Sequence, residues 1–172
     1  GYGGNLTWLK QRYLVETVFG IPLSQGSLAK MHKWFCSSLY PSYEQWWTYI
    51  QEPGVRCVDE TSYRVNGVNY WMWVATSNQV CVLFLAPSRS ADEVHSLLGK
   101  DFQGILSTDC WGAYNRQNAP HKQKCLAHIG RELKALETSR FSENKLFAQR
   151  VFPILEQARQ THRDYHQGEL RL

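Results

Sequence analysis

Three β-rich runs in close succession constrain this chain more than any other feature. They are residues 55–61, residues 69–76 (NYWMWVAT) and residues 80–86 (VCVLFLA). β-branched and aromatic side chains favour a pleated, half-buried surface. Asn66-Gly67 is a hairpin signal, because both central residues of the tight turn need positive φ. Ser77-Asn78 supplies the second turn. The stretch therefore predicts a three-stranded antiparallel meander.

Beyond residue 86 the pattern changes. Ser90 is placed to cap a helix running to about residue 98, with Asp92 and Glu93 in its first turn, where the helix dipole favours acids. Residues 104–108 (GILST) predict a short strand, 111–115 a short helix and 122–125 a fifth strand; from 127 the chain reads as helix, with Pro153 set to break or kink it. A meander followed by β-α-β units predicts an α/β fold: a mixed sheet with helices packed on it.

Before the strands, residues 6–19 read as a helix stopped by Gly20 and Pro22. Ser24 caps a second helix over 25–39, Pro41 interrupts it, and 43–51 resumes. The organisation expected is a helical segment over 1–52, compatible with a helix-turn-helix, a sheet-containing core over 53–140, and a helical segment over 141–172. The net charge of +4 permits an anionic partner without requiring one. The basic excess lies after His121, either as a solvated helix face or as a nucleic-acid footprint. The five cysteines, odd in number and without a C-x-x-C pair, predict buried thiols in a cytoplasmic protein. No run approaches the roughly 20 apolar residues of a membrane span.

Two acids stand at predicted strand ends: Asp59 after residues 55–58, and Asp109 after 104–108. Singly, each reads as a turn residue or a helix cap. If the first and fourth strands are neighbours, the carboxylates emerge side by side. Their repulsion is then relieved by a divalent cation, and hard oxygen ligands select Mg²⁺ or Mn²⁺. Such ions serve in-line phosphoryl displacement.

Five blocks then align in order with one family. Residues 58–67 (VDETSYRVNG) resemble the D-E-T-x-W-R-V-x-G signature of the insertion sequence 66 transposases. Tyr70-Trp71-Met72-Trp73-Val74 resembles that family's H-W-L-W-V strand. Residues 107–115 (STDCWGAYN) resemble its S-D-G-Y-x-A-Y block, residues 125–131 (CLAHIGR) its C-W-A-H-x-x-R block, and residues 19–27 (FGIPLSQGS) its F-G-L-P-L-S-Q-G-T segment. The resemblance covers nearly the whole chain up to about residue 136. It departs at Cys110-Trp111, where Gly-Tyr is usual, and at Leu126, where Trp is usual.

The resemblance implies a ribonuclease-H-like core and a DNA transposase that cleaves and transfers strands at insertion-sequence ends. Asp59 and Asp109 take the places of the first two catalytic, metal-holding acids. Glu60 is not assigned to the metal, because its side chain should point to the opposite face of the strand. The family's third acid, a Glu in an N-N-x-x-E-R block, has no counterpart here. Glu132, Glu137, Glu143, Glu156 and Glu169 all lack that context, so the site expected in this chain is incomplete. DNA is the implied partner, and a homo-oligomer the implied active form. Arg64, Lys122, Lys124 and Arg131 are candidate DNA contacts, with ordinary surface charge as the alternative. Cys125 and His128 admit three readings: a zinc site with Cys110, a packed thiol with the imidazole beside the acids, or a phosphate contact. The second is preferred. A non-catalytic DNA-binding relic and a ribonuclease or junction resolvase of the same architecture remain as alternative functions.

Overall fold

The computed structural model describes residues 6–168. Glu169, one of the five acids that lack the third-acid context, lies outside the described residues. The chain divides between Trp46 and Trp47 into two compact units.

The first unit holds α1 (Trp8–Phe19) and most of α2 (Gln25–Gln51). Thr7 caps α1 by accepting the Lys10 N–H, and Gly20 ends it. Ser24 caps α2, its hydroxyl accepting the Ser27 N–H at 3.0 Å. The break expected at Pro41 does not occur: the proline lies inside a continuous helix. A proline removes one helical hydrogen bond and crowds the preceding turn, which can bend a helix without ending it.

The second unit is built on a five-stranded sheet in the order β3-β2-β1-β4-β5. Its strands are β1 (Val55–Val65), β2 (Val68–Thr76), β3 (Cys81–Ala86), β4 (Ile105–Thr108) and β5 (His121–Lys124). The pairs β1·β2 and β2·β3 are antiparallel, and β1·β4 and β4·β5 are parallel. This is the mixed sheet expected from the sequence, an antiparallel meander followed by two parallel strands. Asn66 and Gly67 turn the first hairpin with φ of 50° and 81°, the positive values that exclude most residues. Between β3 and β4 lies α3 (Ala91–Leu98), and between β4 and β5 a single 3-10 turn (Gly112–Arg116). Ser90 stands at the cap position of α3, but its side chain makes no capping bond. Ser88 instead donates to Glu93 at 2.8 Å.

Strand alternation sorts the two faces. Arg56, Val58 and Glu60 of β1 are buried, with Trp73 and Ala75 of β2, Val82 of β3 and Leu106 of β4. Val94, Leu97 and Leu98 of α3 are buried also. The other face is open: Val55, Leu85 and Ile105 are exposed, and so is Asp59. The buried thiols expected from the sequence are not found. Cys36, Cys57, Cys81 and Cys110 are exposed and Cys125 is half-buried. Alternation puts Cys57 and Cys81 on the open face, so an apolar-looking run did not imply burial for every member.

Two further helices follow, α4 (Leu126–Glu137) and α5 (Ser142–His166), and they share a core of Leu133, Ala148 and Leu155. The boundary expected at residue 140 falls in the turn between them. Pro153 sits within α5 without ending it. Gly130 leaves room for the Arg159 guanidinium, which a Cβ there would meet at 2.7 Å. Arg159 donates to the Leu126 carbonyl at 2.7 Å and pairs with Glu156 at 2.6 Å, tying the first turn of α4 to α5. Among the described residues no helix is long and apolar enough to cross a membrane.

Candidate metal centre

Register brings the two aspartates together. In the parallel β1·β4 pair, Val55 faces Ile105 and Cys57 faces Ser107. Two residues further on are Asp59, within β1, and Asp109, immediately after β4. A step of two preserves the face, and neighbouring strands lie about 4.8 Å apart. Both carboxylates therefore emerge on the open face. Asp59 does not follow a short strand, as its sequence context suggested. It lies inside the eleven-residue β1, just beyond the point where β4 stops. The β1·β2 hairpin, continuous from Cys57↔Thr76 to Val65↔Val68, carries β1 past its parallel neighbour.

The carboxylates are held by backbone donors. Asp59 Oδ1 accepts the Glu60 N–H at 3.0 Å, and Asp109 Oδ1 accepts the Trp111 N–H at 2.8 Å. His128 joins them from the first turn of α4. One ligating atom from each of Asp59, Asp109 and His128 lies within 4.8 Å of the others. They share a cavity of about 160 Å³ with Cys57, Val74, Thr76, Ser107 and Cys125. Among the described residues this is the one group of three or more such side chains, and no cysteine belongs to it.

His128 is half-buried, and its Nδ1 is buried without a hydrogen-bond partner. The Cys125 thiol lies close enough to be held below its ordinary pKa, first by the imidazole and then by the His128 backbone N–H. That contact is no hydrogen bond of normal geometry, since Nδ1 remains unpaired. Two carboxylates and an imidazole with a buried, unsatisfied nitrogen form a donor set that fits a divalent cation.

Beneath the pair lies a network that sequence reading missed. Glu60, pointing inward as alternation requires, has a side chain with 0% exposure. It accepts from Arg89 Nε at 2.5 Å and from the Tyr114 hydroxyl. Burial, followed by this bond to Glu60, pushes the Tyr114 pKa far above its ordinary value, so Tyr114 stays a donor. Arg89 reaches Asp109 Oδ2 with Nη2 at 3.6 Å. Its guanidinium lies over the Trp71 and Trp111 rings, at 4.9 and 4.1 Å from their centroids. Trp111 Nε1 donates back to the Arg89 carbonyl at 3.2 Å. The available signal was Trp111 itself, at a position where the chain departs from the resembled pattern.

The sequence-predicted cations occupy different places. Lys124 donates to the Asp109 carbonyl at 2.9 Å, beside the centre. Lys122 donates to the Tyr114 and Asn115 carbonyls. Arg131 is exposed one turn beyond His128 on α4. Arg64 pairs with Asn69 at 3.0 Å near the hairpin turn. Five residues from Asp59, it lies roughly 16 Å along the strand.

Comparison with known proteins agrees with the motif pattern. The model of the Transposase IS66 family matches residues 2–170. No curated protein matches. Among solved structures, the chain is similar to one in the cryo-EM structure of the simian T-cell lymphotropic virus intasome in complex with the PP2A regulatory subunit B56 gamma. The identity is 13% and the TM-score 0.35, over 59% of this chain and 49% of that one. The chain thus spans about half the length of that relative. The HTLV-2 integrase catalytic core domain in complex with magnesium, in its trimeric form, is similar at 18% identity and TM-score 0.29, over 49% of this chain and 70% of that one.

Proposed function

The chain belongs to the IS66 family of transposases, and from that premise we propose that its second unit carries a metal-dependent centre for cutting and joining DNA strands. The observation that carries this reading is the convergence of Asp59 and Asp109 on one face through the β1·β4 register. When bound, a divalent ion, Mg²⁺ or Mn²⁺, supplies Lewis acidity for in-line attack on a phosphodiester.

The chain's own residues have separable tasks. Asp59 and Asp109 hold the cation. Trp111 N–H fixes one oxygen of Asp109, while Arg89 restrains the other. Lys124 and Arg131 place positive charge beside the acids, where DNA phosphates must approach. Lys122, in register with Leu106, and Arg64, five residues from Asp59, carry further positive charge on the opposite face of the sheet. The reaction order is hydrolytic nicking at the insertion-sequence end, then attack of the freed 3′-hydroxyl on target DNA. DNA is the partner, a homo-oligomer the active form, and the cytoplasm the compartment.

The test is Mn²⁺ titration followed by electron paramagnetic resonance. Asp59→Asn weakens binding on the order of 100-fold, since losing a charged ligand costs at least as much as disturbing its supports. Equal binding by wild type and variant removes the centre from this site. The DNA surface is tested separately. The double variant Lys122→Glu, Lys124→Glu lowers affinity for duplex DNA about tenfold or more at low salt, and flattens the salt dependence by a slope of about 2. An unchanged salt slope argues that these lysines serve only the carbonyls they touch.

A further inference from the structure

We infer that His128 is a protein ligand of the divalent ion beside Asp59 and Asp109. This rests on the metal-holding role proposed for Asp59 and Asp109 and adds a ligand to it. No third carboxylate joins the pair among the described residues; the group that converges there supplies an imidazole.

Three observations carry the assignment. First, a ligating atom of His128 lies within 4.8 Å of one on each aspartate. Ligand atoms around one ion at bond lengths of about 2.1 Å stand roughly 3 to 4 Å apart. A small side-chain adjustment therefore closes the set. Second, the imidazole is not free to drift. The Cys125 N–H donates to the Thr108 carbonyl at 2.6 Å, fastening the start of α4 to the residue before Asp109. Arg159 fastens the Leu126 carbonyl from α5. His128 is held between these ties and the acids. Third, Nδ1 is buried and has no partner. Buried polar atoms in folded proteins are nearly always paired, and those that are not call for an ion, a water or a role. Coordination of the imidazole gives the ring a role that packing alone does not.

The chemical consequence is selectivity. A site of oxygens alone suits Mg²⁺, whereas an imidazole nitrogen raises the preference for Mn²⁺, Co²⁺ and Zn²⁺ along the Irving–Williams order. Two carboxylates and a neutral nitrogen also balance the charge of one divalent ion. Three protein ligands leave positions open on a six-coordinate ion for water and phosphate oxygens.

The experiment is pulsed electron paramagnetic resonance on the 172-residue chain loaded with Mn²⁺, with affinities from the same titrations. Wild type is expected to show a directly bound nitrogen coupling that changes when histidines carry ¹⁵N. His128→Ala loses the coupling and binds Mn²⁺ about tenfold more weakly. His128→Glu also loses the coupling but keeps the ion, with Mg²⁺ competing better than in wild type. It serves as the second variant should alanine disturb α4. If wild type binds Mn²⁺ in an Asp59-dependent way without nitrogen coupling, His128 is not a ligand and the aspartate pair stands. Nitrogen coupling that survives in both variants also overturns the assignment. Failure of wild type to bind Mn²⁺ removes the aspartate reading and this one together.

Discussion

Replacing Glu60 by alanine is expected to lower the unfolding free energy by about 3–5 kcal/mol, the usual cost of removing one partner from a buried ion pair. For a chain of this size that is a fall of roughly 10 °C in Tm, measurable by circular dichroism. The carboxylate has 0% exposure and accepts from both Arg89 and Tyr114. Without it, the Tyr114 hydroxyl is buried with no acceptor, and Arg89 keeps only the longer contact to Asp109 at 3.6 Å. Arg89 is 28% exposed, so some water reaches it and the lower end of the range is the better guide. The neighbouring acid should behave in the opposite way. Asp59 is exposed, and in the metal-free protein its charge is near that of Asp109. Asp59→Asn therefore leaves stability unchanged or slightly raised while it weakens metal binding sharply. Equal losses of Tm in Glu60→Ala and Asp59→Asn would show that the two acids do not divide structural from chemical work.

Arg56→Met is the second large effect, a destabilisation of about 3 kcal/mol or more. Arg56 is 2% exposed. Its guanidinium donates to the carbonyls of Ile50 at 2.9 Å, Tyr49 at 2.8 Å, Glu52 at 3.1 Å and Val55 at 3.0 Å. Three of these residues belong to the end of α2 or follow it at once, where carbonyls lack helical partners and the dipole favours a cation. Methionine fills similar space but donates nothing, so the buried Ile50 carbonyl loses its Arg56 donor and Tyr49 keeps only the Glu52 N–H. Lysine should rescue only in part, because three donors on a point charge cannot reproduce a planar fork. Full stability in Arg56→Met, measured by urea unfolding, would show that water satisfies these carbonyls equally well.

Much of the second unit was legible because its signals are local. Alternating apolar residues, the Asn66-Gly67 turn and the change to helical spacing after Ala86 each act over a few residues and agree with one another. They led to three antiparallel strands, then β-α-β, which is the sheet observed. Errors arose where distant parts override local preference. Pro41, expected to interrupt, lies within a continuous helix. Cysteines in apolar strands proved exposed, because composition does not reveal which face of a sheet is covered.

The candidate site divides in the same way. The motif context of Asp59 and Asp109 singled them out before any coordinates, and alternation alone turned Glu60 away from them. No sequence signal stated that Glu60 would meet Arg89 and Tyr114, residues 29 and 54 positions away. The predicted fifth strand had already put His128 beside the acids, but no sequence signal gave it a ligating atom within 4.8 Å of both.

The amino-acid order by itself determined the strand and helix types, the alternation of strand residues between two faces, and the family. Neighbouring side chains and backbone sterics decide those properties. Tertiary structure alone decided the β1·β4 register, the closure of the acids with His128, and the burial of Glu60 and Arg56 among their partners. All but the Arg56 cluster depend on segments distant in sequence meeting in space; Arg56 meets carbonyls one to seven residues away, and the packing around it decides its burial. A register shift of a single residue would carry Asp59 to the opposite face from Asp109.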